Sequence, residues 1–288
     1  SEKSFFRDIN FKDNNLEITY RTGKIRLEYK NSTLYLYEND KLLSAKIDQT
    51  DKAKVYSYNP KTLKELQMIF PTNETKFVLQ INSTKIILLT EKNKLFLLNN
   101  KGKKIDFDTP IEHSKIFDGH ELFASSRGYI WSRSIPLIKK NIFIGSGPDT
   151  FVFSFPQNDI FGKLKFHDSP YIIIDKPHNF YLQTIINTGL ISLIVLLLLF
   201  GYYFLITFKF FIENSSDNKT NVKSKTIKKL EIKNEFYFLQ MGLSSGIVGY
   251  LVAALGTDSV VSVAPVFWIL LGLGFAINFF RDNKNREN

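Results

Sequence analysis

Cysteine is absent from this chain of 288 residues, and histidine, methionine and tryptophan occur only 4, 2 and 2 times. Without cysteine there is neither a disulfide framework nor a thiolate metal site. No group of histidine and acidic residues has the spacing of metal ligands, so we expect no metal and no other cofactor. The first residues of the sequence do not have the charged, apolar and small-residue pattern of a secretory signal sequence. Few side chains therefore remain as candidates for catalysis.

Signatures of nucleic-acid binding are also missing, although the formal net charge is +10. The chain has no RNP motif, zinc finger or helix-turn-helix pattern, and we expect no nucleic-acid partner. A basic protein beside a membrane suits an anionic partner such as a lipid phosphate or diphosphate equally well.

Long apolar stretches are confined to the last hundred residues, at 189–212, 236–255 and 260–280. The first contains 24 residues with a single charge, Lys209, which is enough to cross a hydrocarbon core about 30 Å thick. Seven lysines lie between positions 209 and 233, whereas the link 256–259 carries only an acid, Asp258. The positive-inside rule therefore predicts a cytoplasmic lysine-rich loop and places residues 1–188 outside the membrane.

The water-facing part begins with short runs of β-branched and aromatic residues that are punctuated by turn formers such as Thr22-Gly23 and Asn82-Ser83. This pattern predicts a β-rich module, with one or two helical turns between Asn59 and Phe70. The fold class is thus a membrane protein with three α-helical spans and a β-rich extracytoplasmic module. We predict these segments: module 1–115, extracytoplasmic loop 116–188, spans 189–212, 236–255 and 260–280, basic loop 213–235 and cytoplasmic tail 281–288.

The loop 116–188 contains two features of possible chemical interest. Residues 121–140 alternate apolar and basic positions, which predicts an amphipathic helix broken at Pro136. The segment that follows holds Gly145 and Gly147, and such a pair forms either a plain tight turn or a loop whose amides approach phosphate.

His178 and Arg127 are the candidate catalytic side chains. An imidazole can take a proton from a hydroxyl near neutral pH, and a guanidinium can hold a diphosphate with two parallel hydrogen bonds. Taken singly, each residue is equally consistent with a solvated side chain near a membrane.

Three elements in order resemble the carboxy-terminal half of the O-antigen ligase and polysaccharide polymerase superfamily. They are Arg127-Gly-Tyr-Ile-Trp131, the segment Asn-Ile-Phe-Ile-Gly-Ser-Gly-Pro at 141–148, and His178-Asn followed after nine residues by Gly189 at a membrane span. The resemblance covers about residues 120–280 and leaves out the β-rich module.

This resemblance implies a metal-independent glycosyltransferase of the bacterial inner membrane that moves a glycan from undecaprenyl diphosphate to a hydroxyl of a surface acceptor. It implies that His178 is the general base and that Arg127 holds the diphosphate. Further substrate contacts are expected from the following residues: Arg133, Lys176, Asn179, Gly145 and Gly147. Because the family has more spans than this sequence, we expect a fragment of a larger polytopic protein.

Two departures favour a polymerase, or a ligase for another surface polymer such as a capsule, over a lipopolysaccharide ligase. Ile142 stands where the family commonly has proline, and no paired threonines follow Gly189. The competing interpretations are a membrane-anchored protein that binds or senses cell-wall polymer without catalysis, and a transporter subunit.

Overall fold

The structure is a computed structural model that describes residues 5–12, 14–72, 75–105, 110–140, 142–217, 227–260 and 262–286. The chain divides into two compact units, which differ from the predicted segments. Unit 1 comprises Ser1–Pro136 with Phe155–Asp175, and unit 2 comprises Leu137–Ser154 with Lys176–Asn288. The predicted extracytoplasmic loop 116–188 is thus shared between the two units.

Two antiparallel sheets dominate unit 1, as the β-rich prediction required. In each sheet, strands that follow one another in the sequence are hydrogen-bonded neighbours. The first sheet has five strands and the second has six: β1 Phe6–Lys12, β2 Asn15–Tyr20, β3 Gly23–Lys30, β4 Thr33–Glu38 and β5 Lys41–Leu42, then β6 Ala45–Gln49, β7 Ala53–Tyr58, β8 Leu66–Pro71, β9 Lys76–Ile81, β10 Thr84–Glu91 and β11 Lys94–Leu97.

The turn residues explain why neighbouring strands pair so directly. Asn31-Ser32, Asn39-Asp40 and Lys92-Asn93 each have two successive positive φ angles and each connect two paired strands. Two left-handed residues form the tight turn whose twist matches that of antiparallel strands. The polar turn formers seen in the sequence therefore determine the hairpin register.

Alternation of apolar residues builds one shared core in unit 1. Leu16, Ile18 and Ile25 of the first sheet are buried together with Leu79 and Leu88 of the second. The predicted helical turns between Asn59 and Phe70 are wrong, because β8 occupies Leu66–Pro71. Its Leu66 and Met68 point into the core with the two-residue period of a strand.

Three helical segments lie in unit 1 or begin there. A 3-10 turn spans Lys115–Phe117, α1 spans Phe123–Ile138 and α3 spans Ile160–His167. The predicted break at Pro136 is wrong: the irregular part of α1 is Ala124 to Ser126, where three residues have left-handed dihedrals. Pro136 lies inside α1, two residues before its end.

Unit 2 consists of the short α2 (Phe151–Ser154) and three long helices, α4 (Phe180–Asp217), α5 (Ile227–Ala253) and α6 (Ala264–Arg286). Among the described residues, two helical stretches are long and apolar enough to cross a membrane, Phe180–Ile212 and Glu235–Ala253. The apolar part of α6, Ala264–Phe280, is shorter. The third span therefore remains a prediction.

Both α4 and α5 continue into the predicted basic loop 213–235, of which residues 218–226 lie outside the described part of the chain.

Between the helices, buried polar side chains form hydrogen bonds. The Gln240 amide donates to Thr207 Oγ1 at 3.1 Å, and Asn278 donates to the same oxygen at 3.0 Å. Such contacts hold helices together where lipid offers no competing partner.

Candidate active site

His178 forms an ion-pair contact with a carboxylate far away in the sequence. Its Nδ1 atom lies 2.8 Å from Oδ2 of Asp258, in the connection between α5 and α6. The Asp258 side chain is only 6% exposed, whereas that of His178 is 41% exposed. The buried partner is therefore the carboxylate, and the imidazole is open to solvent.

This contact favours Nε2 as the imidazole nitrogen that acts as a base. A carboxylate that accepts the Nδ1 proton fixes the ring orientation and leaves the lone pair on Nε2. Within the described residues, Nε2 of His178 has no hydrogen-bond partner. Hence Nε2 is available to a hydroxyl that approaches from solvent.

The backbone around His178 is held in an uncommon conformation. His178 has a φ of 52°, in the left-handed region that few non-glycine residues adopt. The next residue, Asn179, caps α4 by accepting a hydrogen bond from the Leu182 amide at 2.8 Å, and its own amide donates to the Leu255 carbonyl at 2.8 Å. These bonds join the start of α4 to the end of α5, beside Asp258.

The glycine segment packs against a break in α4. At Gly189 the helix is interrupted, with φ 88° and ψ 173°, so carbonyls before the break lose their helical donors. The amides of Ser146 and Gly147 donate to the carbonyls of Ile186 and Asn187 at 2.8 and 2.9 Å. Those two amides are therefore already used within the protein.

Close approach explains both glycines at this contact. A Cβ on Gly145 would lie 2.4 Å from the Asn187 carbonyl, and one on Gly189 would lie 2.1 Å from the Phe143 oxygen. Both residues also have positive φ angles. Gly145 and Gly147 thus shape the packing of the loop on α4, and their predicted contact with phosphate stays a prediction.

Arg127 begins the regular part of α1 in unit 1. Arg127 follows the three residues with left-handed dihedrals. The next residue, Gly128, packs directly against the backbone at His120, and a Cβ at this position would clash with the His120 oxygen. Arg127 is half-buried. Within the described part of the chain, its side chain has no hydrogen bond or ion pair, so its guanidinium is available to an anion.

Arg133 differs from Arg127 because it forms a buried ion pair. Its Nε atom donates to Asp159 Oδ2 at 3.0 Å, and the guanidinium also lies over the Tyr129 ring at 4.8 Å. Asp159 additionally accepts from the Tyr129 hydroxyl at 3.0 Å and caps α3 through the Gly162 amide at 2.9 Å. The predicted substrate contact of Arg133 stays a prediction, and its position favours a structural role.

Burial shifts two titrating groups around this ion pair. Burial and the neighbouring Asp159 carboxylate raise the pKa of Tyr129 well above its usual range. Burial lowers the pKa of Lys163 to about 8, although the Asp159 carboxylate acts in the opposite direction. The Lys163 ammonium donates to the Gln157 carbonyl at 2.7 Å. The cluster therefore connects α1 with α3 inside unit 1.

Lys176 is half-buried and lies two residues before His178, with no hydrogen bond or ion pair within the described residues.

No group of three or more His, Cys, Asp or Glu side chains is placed to hold a metal ion in the described ranges. Metal independence remains a prediction.

Asp258 is the site residue that sequence reasoning missed. The sequence contained a signal, because Asp258 is the single charge in a short link between two apolar segments on the predicted outer face. From the sequence, this acid contributes only to the prediction of how the chain is oriented in the membrane. The fold shows that it contacts His178, 80 positions earlier.

Unit 1 is β-rich, and unit 2 contains two helical stretches that are long and apolar enough to cross a membrane. Residues 79–212 match the family model described as O-Antigen ligase. No curated protein and no solved structure gives a significant match. The resemblance seen in the sequence is therefore confirmed, and it implies activity of the O-antigen ligase or polymerase type on lipid-linked glycans and polysaccharide acceptors.

The matched segment differs in extent from the expected 120–280. It begins in β9, inside the β-rich unit, and ends at Ile212 in α4. It includes Arg127, the glycine segment and His178, whereas Asp258 lies beyond it.

Proposed function

We propose that the protein is a glycosyltransferase of the bacterial inner membrane that transfers a glycan from undecaprenyl diphosphate to an acceptor hydroxyl. It would act as polymerase or ligase of a surface polysaccharide such as a capsule. The observation that carries this proposal is the contact between His178 and Asp258, because it leaves a solvent-exposed imidazole nitrogen supported by a buried carboxylate.

In this reaction Nε2 of His178 takes the proton from the acceptor hydroxyl. The acceptor oxygen forms a bond to the anomeric carbon while the bond from that carbon to the diphosphate oxygen breaks. The diphosphate leaves with the bonding electron pair. Asp258 stabilises the positive imidazolium that forms on His178, as a carboxylate does in other histidine-based catalytic pairs.

Arg127 would bind the diphosphate and stabilise the charge that develops as it leaves. Its half-buried guanidinium without an internal partner, within the described residues, supports this role. Lys176 would add a second positive charge. Arg133 is committed to Asp159, so we assign it to the stability of unit 1 instead.

Asn179, Gly145 and Gly147 would keep the catalytic residues in place and would not react themselves. Asn179 holds the start of α4 against the end of α5 through two hydrogen bonds, which keeps His178 beside Asp258. Gly145 and Gly147 fold their loop over the break in α4. In the proposed orientation residues 1–188 are extracytoplasmic, as the charges of the connecting segments favour.

Replacing His178 with Ala in the intact protein within its host cell tests the proposal. The variant should accumulate in the membrane at the normal level and form no high-molecular-weight polymer. Normal polymer in that variant would exclude His178 as the general base and would favour the non-enzymatic binding role.

A further inference from the structure

The loop that covers the break in α4 exposes an unusual number of large apolar side chains. Phe143 is 63% exposed, Ile144 is 79% exposed and Phe153 is 85% exposed. All three belong to unit 2. Solvent exposure of several large apolar groups in one short segment indicates a binding surface.

Hydrogen bonds determine where this loop meets α4. The Leu190 amide donates to the Ile142 carbonyl at 2.7 Å, and the amides of Ser146 and Gly147 donate to carbonyls just before Gly189. The loop is therefore attached at residues 186–190 of the helix.

Residues 186–190 lie where α4 changes from a stretch with the polar residues Gln183, Thr184, Asn187 and Thr188 to the mainly apolar stretch 190–208. From Leu190 to Phe208 the helix contains no charged residue, and Lys209 follows at the cytoplasmic end in the predicted orientation. These residues span about 30 Å at a rise of about 1.5 Å per residue, which is the thickness of the core. Exposed apolar side chains on α4 begin at the same boundary, with Ile191, Ile194 and Val195.

Exposed apolar side chains are therefore present both in the loop and on the part of α4 that follows its attachment. Two exposed lysines, Lys139 and Lys140, immediately precede the segment. Lysines beside apolar and aromatic residues are typical of segments that lie at the surface of an anionic bilayer.

We infer that residues 142–153 form a membrane anchor in the outer leaflet, with Phe143, Ile144 and Phe153 inserted among acyl chains and Lys139 and Lys140 at the lipid headgroups. The anchor also supplies hydrogen-bond donors to the backbone carbonyls at the break in α4, at a depth where little water is present. Non-helical backbone at that depth requires internal hydrogen-bond partners, and the loop amides supply them. The inference rests on the proposed orientation of the chain and is independent of the proposed catalysis.

Depth-dependent fluorescence quenching tests the anchor, and the absence of cysteine makes single labels straightforward. Phe143→Cys and, separately, Ile144→Cys would carry an environment-sensitive fluorophore in the intact protein, reconstituted into vesicles of phosphatidylcholine and phosphatidylglycerol. Val195→Cys provides the lipid-facing control, and Lys101→Cys in the β-rich unit provides the water-facing control.

Both loop labels should be quenched by lipids with a doxyl group near the headgroup end of the acyl chain, as strongly as the label at 195, and protected from aqueous iodide. Quenching by iodide at the level of the label at 101 would overturn the inference. Protection from both quenchers would also overturn it, because the loop would then contact protein instead of lipid.

Discussion

The imidazole Nδ1 of His178 lies 2.8 Å from the Asp258 carboxylate, although 80 residues separate the two side chains in the sequence. His178 lies two residues before the start of α4, and Asp258 lies between α5 and α6. Asp258 Oδ1 is buried and has no hydrogen-bond partner in the described part of the chain. Within the described residues, the contact with His178 is therefore the polar contact of this carboxylate with protein, which favours a role in orienting the imidazole.

Asp258→Asn should lower the rate of glycan transfer by on the order of 10²-fold or more while the protein remains folded. The asparagine amide can donate to Nδ1, which moves the ring proton to Nε2 and removes the base. The rate of consumption of a lipid-linked donor measures the effect. Asp175→Asn, at an exposed acid close to His178 in the sequence, is the matched control, and equal rates in the two variants would contradict the role of Asp258.

Arg127→Lys should lower transfer, and Arg127→Ala should lower it further, by on the order of 10²-fold. Lysine keeps the charge but loses the two parallel donors that match a diphosphate oxygen pair. Arg7, an exposed arginine on β1, gives control variants with the same changes. Full activity in Arg127→Lys would show that the site needs only a positive charge.

Arg133→Ala should act on stability. Loss of the guanidinium removes the ion-pair partner of the buried Asp159, and breaking a buried ion pair costs about 3–5 kcal/mol. Urea unfolding in detergent, followed by the fluorescence of Trp131 in a Trp268→Phe background, measures the change. Arg127→Ala, which breaks no ion pair in the described structure, should change the free energy of unfolding by less than about 0.5 kcal/mol. Equal destabilisation by both variants would contradict the structural assignment of Arg133.

The orientation of the chain can be tested with thiols introduced at Asp51 and at Asn221. An impermeant maleimide applied to intact cells should label the first and not the second, because the positive-inside rule places the lysine-rich segment in the cytoplasm. Labelling of both positions after permeabilisation is the control. The reverse pattern would move His178 to the cytoplasmic face.

Local rules explain why the β-rich unit and the helix α4 were predictable. Alternating apolar residues and paired turn formers determine hairpins such as β3 with β4, and a long uncharged stretch determines a helix able to cross a membrane. The error at Asn59 to Phe70 arose because Leu63, Leu66 and Ile69 fit a helical period, whereas cross-strand pairing with β7 and β9 imposed a strand. Tertiary pairing there overrode the local pattern.

The candidate site was only partly predictable for a related reason. His178 stood out by its place before a span, but Asp258 is recognisable only when α4 and the α5–α6 connection are brought together. Arg127 and Arg133 look alike in sequence, and only the Asp159 contact separates an available guanidinium from a buried one. The role of each of these residues depends on side chains from distant segments of the chain, and local spacing in the sequence does not reveal those contacts.

The most direct test of the account compares His178→Ala with His113→Ala in the intact protein reconstituted with an undecaprenyl-diphosphate-linked oligosaccharide. His113 also lies near a carboxylate, 3.4 Å from Asp118, but both of those side chains are exposed. We predict that His178→Ala lowers the rate of glycan transfer by about 10²- to 10⁴-fold, the usual contribution of a general base, and that His113→Ala leaves it unchanged. Equal rates in the two variants would contradict the central role of His178.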